Sequence, residues 1–227
     1  MNLVLKNILN LKVVSMAFSE REQEILEFVV GKVRTLSIAC PDNVHGFHHA
    51  ERVADYASYI AHHEGKNTFL STLAGWLHDI GRAIEKYPEQ FSGFDATKTH
   101  HELSYELLQQ WSCEDERFSL LTDTEKIELL YAVRNHWNDE ANEYTSAYIL
   151  RDADKIDGLG EIGLQRNKEF HKDDPSRQML NLRLHYEWLY HFNTDTAKKI
   201  NEERDLIRPF EEERARLLKD EIKSVEL

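Results

Sequence analysis

The stretch Leu73-Ala74-Gly75-Trp76-Leu77-His78-Asp79-Ile80-Gly81-Arg82 decides how this chain is read. Leu70, Leu73, Ala74 and Leu77 recur at i, i+3, i+4 and i+7, the apolar stripe of a helix. Gly81 follows the last periodic residue and marks a stop. His78 and Asp79 thus fall in the last turn of a buried helix, at the rim of a packed face. An imidazole and a carboxylate fixed side by side are good ligands for a divalent cation. A lone His-Asp pair is more often a core histidine beside a solvated aspartate, so the case depends on what the rest of the chain brings to it.

Upstream, Ser19 to about Ser37 reads as a helix with Ser19 as N-cap. A second helix runs from about Phe47 to Glu64, with Val53, Ala57 and Ile60 inward. His49 lies four residues before Val53 and extends that face, with Arg52 one turn away. Downstream, Arg82 to Lys98 holds Pro88 and Gly93 and reads as a loop over the site. The next helix, about Thr99 to Trp111, carries His100 on its apolar stripe; His101 is turned away by about 100° and is the fallback. Thr122-Asp123-Thr124-Glu125 opens a further helix as a capping box, and Leu129, Val133 and His136 share one face of it.

Ala147 to Asp157 forms the next helix and offers two aspartates. Asp154 follows Leu150 by four residues, about 40° off that buried direction, whereas Asp152 is about 160° off. Asp154 is therefore the better inward ligand and Asp152 the runner-up. Helices of about Ser176 to Phe192 and Thr194 to Ile222 complete the chain, the last mostly charged. The expected fold is all-α, a bundle of about seven to nine helices with no significant sheet. Residues 1–18 are expected to be an N-terminal extension. Residues 19–222 form one domain, with a site core over 42–166 and C-terminal helices over 176–222.

Bulk properties narrow the function. At 227 residues the chain can bury a core without staples. A net charge of −13 argues against a long nucleic acid as partner, because phosphates need a basic surface. No apolar run is long enough to span a bilayer, and no signal peptide is read at the N-terminus. Cys40 and Cys113 have no metal-ligand spacing, so a reducing cytoplasm is the expected setting. Six polar residues, His49, His78, Asp79, His100, His136 and Asp154, all point inward or sit at helix ends. Such burial is costly unless the groups pair or bind a cation, and together they suit a first-row divalent metal.

Three motifs carry a resemblance. Asp42 to Val53 (DNVHGFHHAERV), Leu77 to Arg82 (LHDIGR) and Asp152 to Asp157 (DADKID) resemble, in order and spacing, the signatures of HD-domain metal-dependent phosphohydrolases. Asp157 to Arg166 and the tail from Asn193 resemble a subgroup of small bacterial HD hydrolases. The chain lacks the Glu-Asp pair of the ppGpp-hydrolase branch and the GYP signature of cyclic-di-GMP phosphodiesterases. The resemblance implies an HD helical bundle with His49, His78, Asp79 and Asp154 as metal ligands. Manganese is the first expectation, ahead of Mg, Fe, Co, Ni and Zn. His100 and His136 would hold either a second metal or substrate phosphate.

The implied reaction is hydrolysis of a phosphoester or phosphoanhydride bond of a small phosphorylated metabolite, a nucleotide first of all, by metal-activated water. Asp79 and His78 are the expected catalytic residues. Arg52, Arg82, Lys155 and Arg166, with His100 and His136, are the expected substrate-binding set, the cations serving to offset phosphate charge. Association as a homodimer is left open. The competing readings are a di-iron oxygenase on the same scaffold and a catalytically silent HD binding module.

Overall fold

The computed structural model describes residues 18–172 and 174–225. The expected extension over 1–18 lies almost wholly outside them. Among the described residues the chain is helix and turn throughout, with no strand. The helices are α1 (Glu20–Ala39), α2 (Phe47–His63), α3 (Thr68–Leu77), α4 (Arg82–Lys86), α5 (His100–Glu114) and α6 (Asp123–Asn135). After them come α7 (Thr145–Asp157), α8 (Gly160–Phe170), α9 (Pro175–Tyr190), α10 (Asp195–Arg204) and α11 (Arg208–Val225). Short 3-10 turns occupy Pro88–Gln90 and Glu116–Leu120.

The count exceeds the expected seven to nine for local reasons. The stretch read as a loop after His78-Asp79 winds into the one-turn helix α4 before Pro88. The Asp157–Arg166 motif, read only as a signature, folds as α8. The final helix breaks at Asp205, whose φ of 51° and ψ of 51° place it in the left-handed region that aspartate tolerates. The carbonyl of the next residue, Leu206, then accepts the Gly160 amide at 2.8 Å. That bond ties the break to the start of α8.

The capping expectations hold. Ser19 accepts from the Glu22 amide, and Glu22 accepts from the Ser19 amide at 2.8 Å. Thr122 and Glu125 repeat the arrangement at α6. Each cap contributes about 1 kcal/mol by pairing amides the helix itself cannot satisfy.

α2, α3 and α7 form the centre of the bundle. Every residue of α3 from Phe69 to Leu77 is buried, as befits a helix with neighbours on all sides. Gly75 is required there: a Cβ on it would lie 2.5 Å from the Cα of Ala54 in α2. α1 covers α3 with Ile25, Leu26, Val29 and Val33. The α5–α6 pair packs on the far side and delivers His100 and His136 to the same end of the bundle as His78. Truncating a fully buried core residue such as Leu77 to Ala would cost about 2–5 kcal/mol.

The C-terminal helices are tied to this centre by polar contacts. Glu64 accepts from the Thr196 amide at 2.9 Å and its hydroxyl at 2.6 Å. Asp152 accepts from the amides of Asn193 and Thr194, at 2.9 and 2.8 Å, and from both their side chains.

Candidate metal centre

Four residues from three elements meet at one end of the bundle. His49 enters from the first turn of α2, His78 and Asp79 from the turn after α3, and Asp154 from the last turns of α7. His49 Nε2 lies 3.1 Å from His78 Nε2, 3.6 Å from Asp79 Oδ2 and 3.5 Å from Asp154 Oδ1. His78 Nε2 is 3.7 Å from Asp79 and 3.8 Å from Asp154. The other Asp79 oxygen, Oδ1, faces His100 Nε2 at 3.5 Å and His136 Nε2 at 3.7 Å. Two groups of donors, His49–His78–Asp79 and Asp79–His100–His136, therefore share one carboxylate.

Local backbone bonds set the direction of each ring. His78 ends α3 and its Nδ1 donates to the Gly75 carbonyl at 2.8 Å. His136 ends α6 in the same manner, with Nδ1 donating to Val133 at 2.7 Å. A carbonyl can only accept, so in both rings Nδ1 carries the proton and Nε2 presents a lone pair. His49 instead sets Nδ1 against Asp157 Oδ2 at 2.7 Å. Asp157 also accepts from Arg52 Nε at 2.5 Å and Arg166 Nη1 at 2.6 Å. Carboxylates behind the ring commonly fix metal-binding histidines in this way.

The turn carrying Asp79 is pressed onto α5. Gly81 donates to Ser104 Oγ at 2.8 Å, and a Cβ on Gly81 would lie 2.3 Å from the His100 carbonyl oxygen. That close approach is what brings the His100 ring to Asp79.

The electrostatics favour a bound cation. Burial alone would raise the Asp79 carboxyl, but His78, His49, Arg82 and His100 outweigh it and hold the group well below its ordinary value. Burial pushes His78 and His136 down and takes His100 to about 3, leaving neutral rings, with the His100 Nε2 lone pair accepting from Arg82. His49 is the exception. Burial and Arg166 lower it, yet Asp157 and Asp79 prevail and raise it. Two facts then test the fit of a metal. Asp79 Oδ1 is buried without a hydrogen-bond partner. The Nε2 atoms of His49 and His78 face each other at 3.1 Å, an arrangement that needs a proton or a cation to relieve lone-pair repulsion. The donor set of imidazoles and carboxylates suits a divalent cation.

The other expected residues divide. Arg82 lines the cleft at the cluster, 3.7 Å from Asp79 Oδ1 and 3.3 Å from His100. Arg52 and Arg166 are spent largely on Asp157, with Arg166 also on the Val44 carbonyl at 2.8 Å. Lys155 pairs with Asp139 at 2.5 Å and the His191 carbonyl, and does not line the cleft. Asp154 reaches the cluster with part of its side chain exposed, while Asp152, expected to point away from the core, is fully buried and holds the Asn193–Thr194 turn. His101 stays beside the cluster, its ring stacked on Trp137. Asp157 is the residue sequence reading missed. It stands in a quoted motif, but its partnership with His49 spans 108 positions.

The cleft above the cluster has a volume of about 310 Å³. Its floor is His49, Asp79, His100, His136 and Asp154, and its far walls come from α8 and α9.

The HD domain model matches residues 46–159, half of the chain, and brackets this cluster. The chain belongs to the HD family. The uncharacterized protein YpgQ of Bacillus subtilis (strain 168) is 24% identical over 177 residues, covering 70% of this chain and 77% of YpgQ. The crystal structure of YpgQ in complex with ADP superposes with a TM-score of 0.63 at 19% identity, covering 91% of this chain and 100% of that one. A predicted HD superfamily hydrolase from an uncultured Thermotogales bacterium gives a TM-score of 0.56 at 24% identity, over 87% and 91% of the two chains. An HD-superfamily hydrolase from Bacillus thuringiensis gives 0.59 at 20% identity, over 85% and 95%. Among the described residues no helix is long and apolar enough to cross a membrane.

Proposed function

We propose that this chain is a metal-dependent phosphohydrolase that cleaves a phosphoester or phosphoanhydride bond of a nucleotide. The observation that carries the reading is the convergence of His49, His78 and Asp154 with Asp79 Oδ2, the other Asp79 oxygen being left unpartnered beside His100 and His136, at the floor of a cleft that Arg82 borders. The crystallisation of the related YpgQ with ADP supports a nucleotide as the phosphorylated ligand.

His49, His78, Asp79 and Asp154 would hold the cation; their mixed imidazole and carboxylate donors suit several first-row divalent metals, of which manganese is the first we would test. When bound there, a divalent cation supplies Lewis acidity and makes water acidic enough to attack at neutral pH. The chain's residues do the rest. Gly75 and Asp157 keep the two histidines aimed through Nε2. Asp79 is held ionised and is too acidic to store a proton. Its role is to accept a hydrogen bond from the attacking water and so orient it. Arg82, whose Nη1 also donates to Glu85 at 2.9 Å, offsets charge on the phosphate. Neutral His100 and His136 offer lone pairs to a protonated phosphate oxygen.

The group Asp79–His100–His136 favours a second reading in which those histidines hold a second cation. Metal analysis separates the two: about one ion per chain keeps them as phosphate ligands, about two makes them metal ligands. The test of function is a screen of nucleotides and generic phosphoesters with Mn, Mg, Co, Ni and Fe. Turnover is expected in at least one metal and is expected to vanish in His78→Ala. Turnover that survives in His78→Ala, or none by the parent with any metal, overturns the reading, the second outcome favouring a silent binding module.

A further inference from the structure

The cleft continues away from the cluster between α8 and α9. Gly163, Arg166, Asn167 and Phe170 lie at i, i+3, i+4 and i+7 on α8, and this one face lines the cleft. Asn181, His185 and Trp188 line it from α9. Most of their polar atoms have partners. Arg166 holds Asp157 and Val44. The Asn181 amide donates to His171, and His185 Nδ1 donates to the Asn181 carbonyl. Asn167 differs. It is 94% buried, 6% remaining exposed, and neither its Oδ1 nor its Nδ2 has a hydrogen-bond partner. Of the described side chains these two helices put into the cleft, Asn167 alone has buried polar atoms left unpaired.

A buried amide with donor and acceptor both unused is unfavourable, and such a group in a folded protein points to a missing partner. Because both atoms are free, the point holds whichever way the amide is turned. The complement of an amide is an edge that sets an acceptor next to a donor. Nucleobases present such edges, and asparagine pairs with the adenine N6 and N7 positions in this manner. The surroundings suit a flat ring. Phe170, 53% exposed, stands at the rim with His45 edge-on to it at 5.5 Å, and Trp188 forms part of the opposite wall. Aromatic faces of this kind stack with bases.

We infer that Asn167 is a specificity-determining residue that hydrogen-bonds the edge of a nucleobase seated between α8 and α9, while the phosphates reach the cluster. The inference rests on the nucleotide reading above and deepens it. The base anchors the substrate at the end of the cleft remote from the reacting phosphorus. Its contribution is to binding in the ground and transition states alike, so it is read in KM.

The test compares ATP with inorganic tripolyphosphate, which has the phosphate chain and no base. For Asn167→Leu, close in volume, KM for ATP is expected to rise roughly tenfold with kcat within about twofold, the loss of one to two hydrogen bonds. KM for tripolyphosphate is expected to stay within about twofold. Asn167→Ala, a good helix former, is the second variant if the leucine side chain disturbs the fold. An unchanged KM for ATP, or an equal rise for both compounds, overturns the inference. If the parent turns over neither compound, the phosphohydrolase reading fails separately. Titration calorimetry of ATP and tripolyphosphate on the metal-free chain then decides Asn167 by the same split.

Discussion

Replacing Asp157 by Asn isolates the part played by the residue behind His49. Asp157 is almost wholly buried and accepts from three side chains: His49 Nδ1 at 2.7 Å, Arg52 at 2.5 and 3.1 Å, and Arg166 at 2.6 Å. An asparagine can still accept from His49 through one oxygen. Its amide nitrogen must then face a guanidinium, donor against donor. Arg52 and Arg166, each with only 15% of its side chain exposed, lose their charged partner. Breaking a buried pair by removing one member costs about 3 kcal/mol, which for a chain of this size lowers Tm by roughly 6–12 °C. Losing the carboxylate behind a ligating histidine lowers metal affinity about 10- to 100-fold, or about 1.4–2.7 kcal/mol. The assay is manganese titration by calorimetry at about pH 8, below the melting temperature of both proteins. Affinity within about twofold of the parent would refute the reasoning, because His49 would then be held by its own helix and Asp157 would serve stability alone.

Two further outcomes follow from the same geometry. Asp152→Asn is expected to lose about 2 kcal/mol of stability with metal content unchanged, since Asp152 holds the Asn193–Thr194 turn. Asp154→Asn is expected to do the reverse, and elemental analysis with thermal melting checks both. The Asp55 carboxyl is pushed up to about 7 by burial, with Glu51 adding like charge. Its folded value lies above its ordinary one, so its ionisation costs stability as pH rises through about 7, and below about 4 the penalty is absent. A rise from 3.8 to about 7 is worth about 4 kcal/mol at full burial, and partial exposure reduces it to about 2. Asp55→Asn is therefore expected to stabilise at pH 8 and to change nothing at pH 4; equal melting shifts at both would refute the assignment.

The amino-acid pattern announced the helices and which faces they bury, because those depend on a period local to each segment. The same period chose Asp154 over Asp152, and the distances agree. It did not foresee that Asp152 is fully buried while Asp154 stays partly exposed, because the partner that satisfies Asp152 lies 41 positions away. The cationic residues were the least legible. Arg52, Lys155 and Arg166 have helical positions compatible with facing phosphate, and their actual partners, Asp157 and Asp139, are settled by packing between helices. A usable signal existed for Asp157: a ligating histidine needs an acceptor behind it, and an acidic residue three positions after Asp154 was an available candidate. The break at Asp205 did have a signal in Pro209, whose ring excludes a helical turn back to the carbonyl of residue 205, but one helix was read across it.

Helix α7 addresses two different neighbours within a turn and a half: Asp152 looks toward the C-terminal helices, Asp154 and Asp157 toward the cleft. A single extra residue inserted between 152 and 154 would swing everything beyond it by about 100°. Either the anchor or the ligands could be kept in frame, but not both. The length of that short segment is consequently set by two independent contacts. Drift in its spacing would be penalised in folding and in cation binding at once.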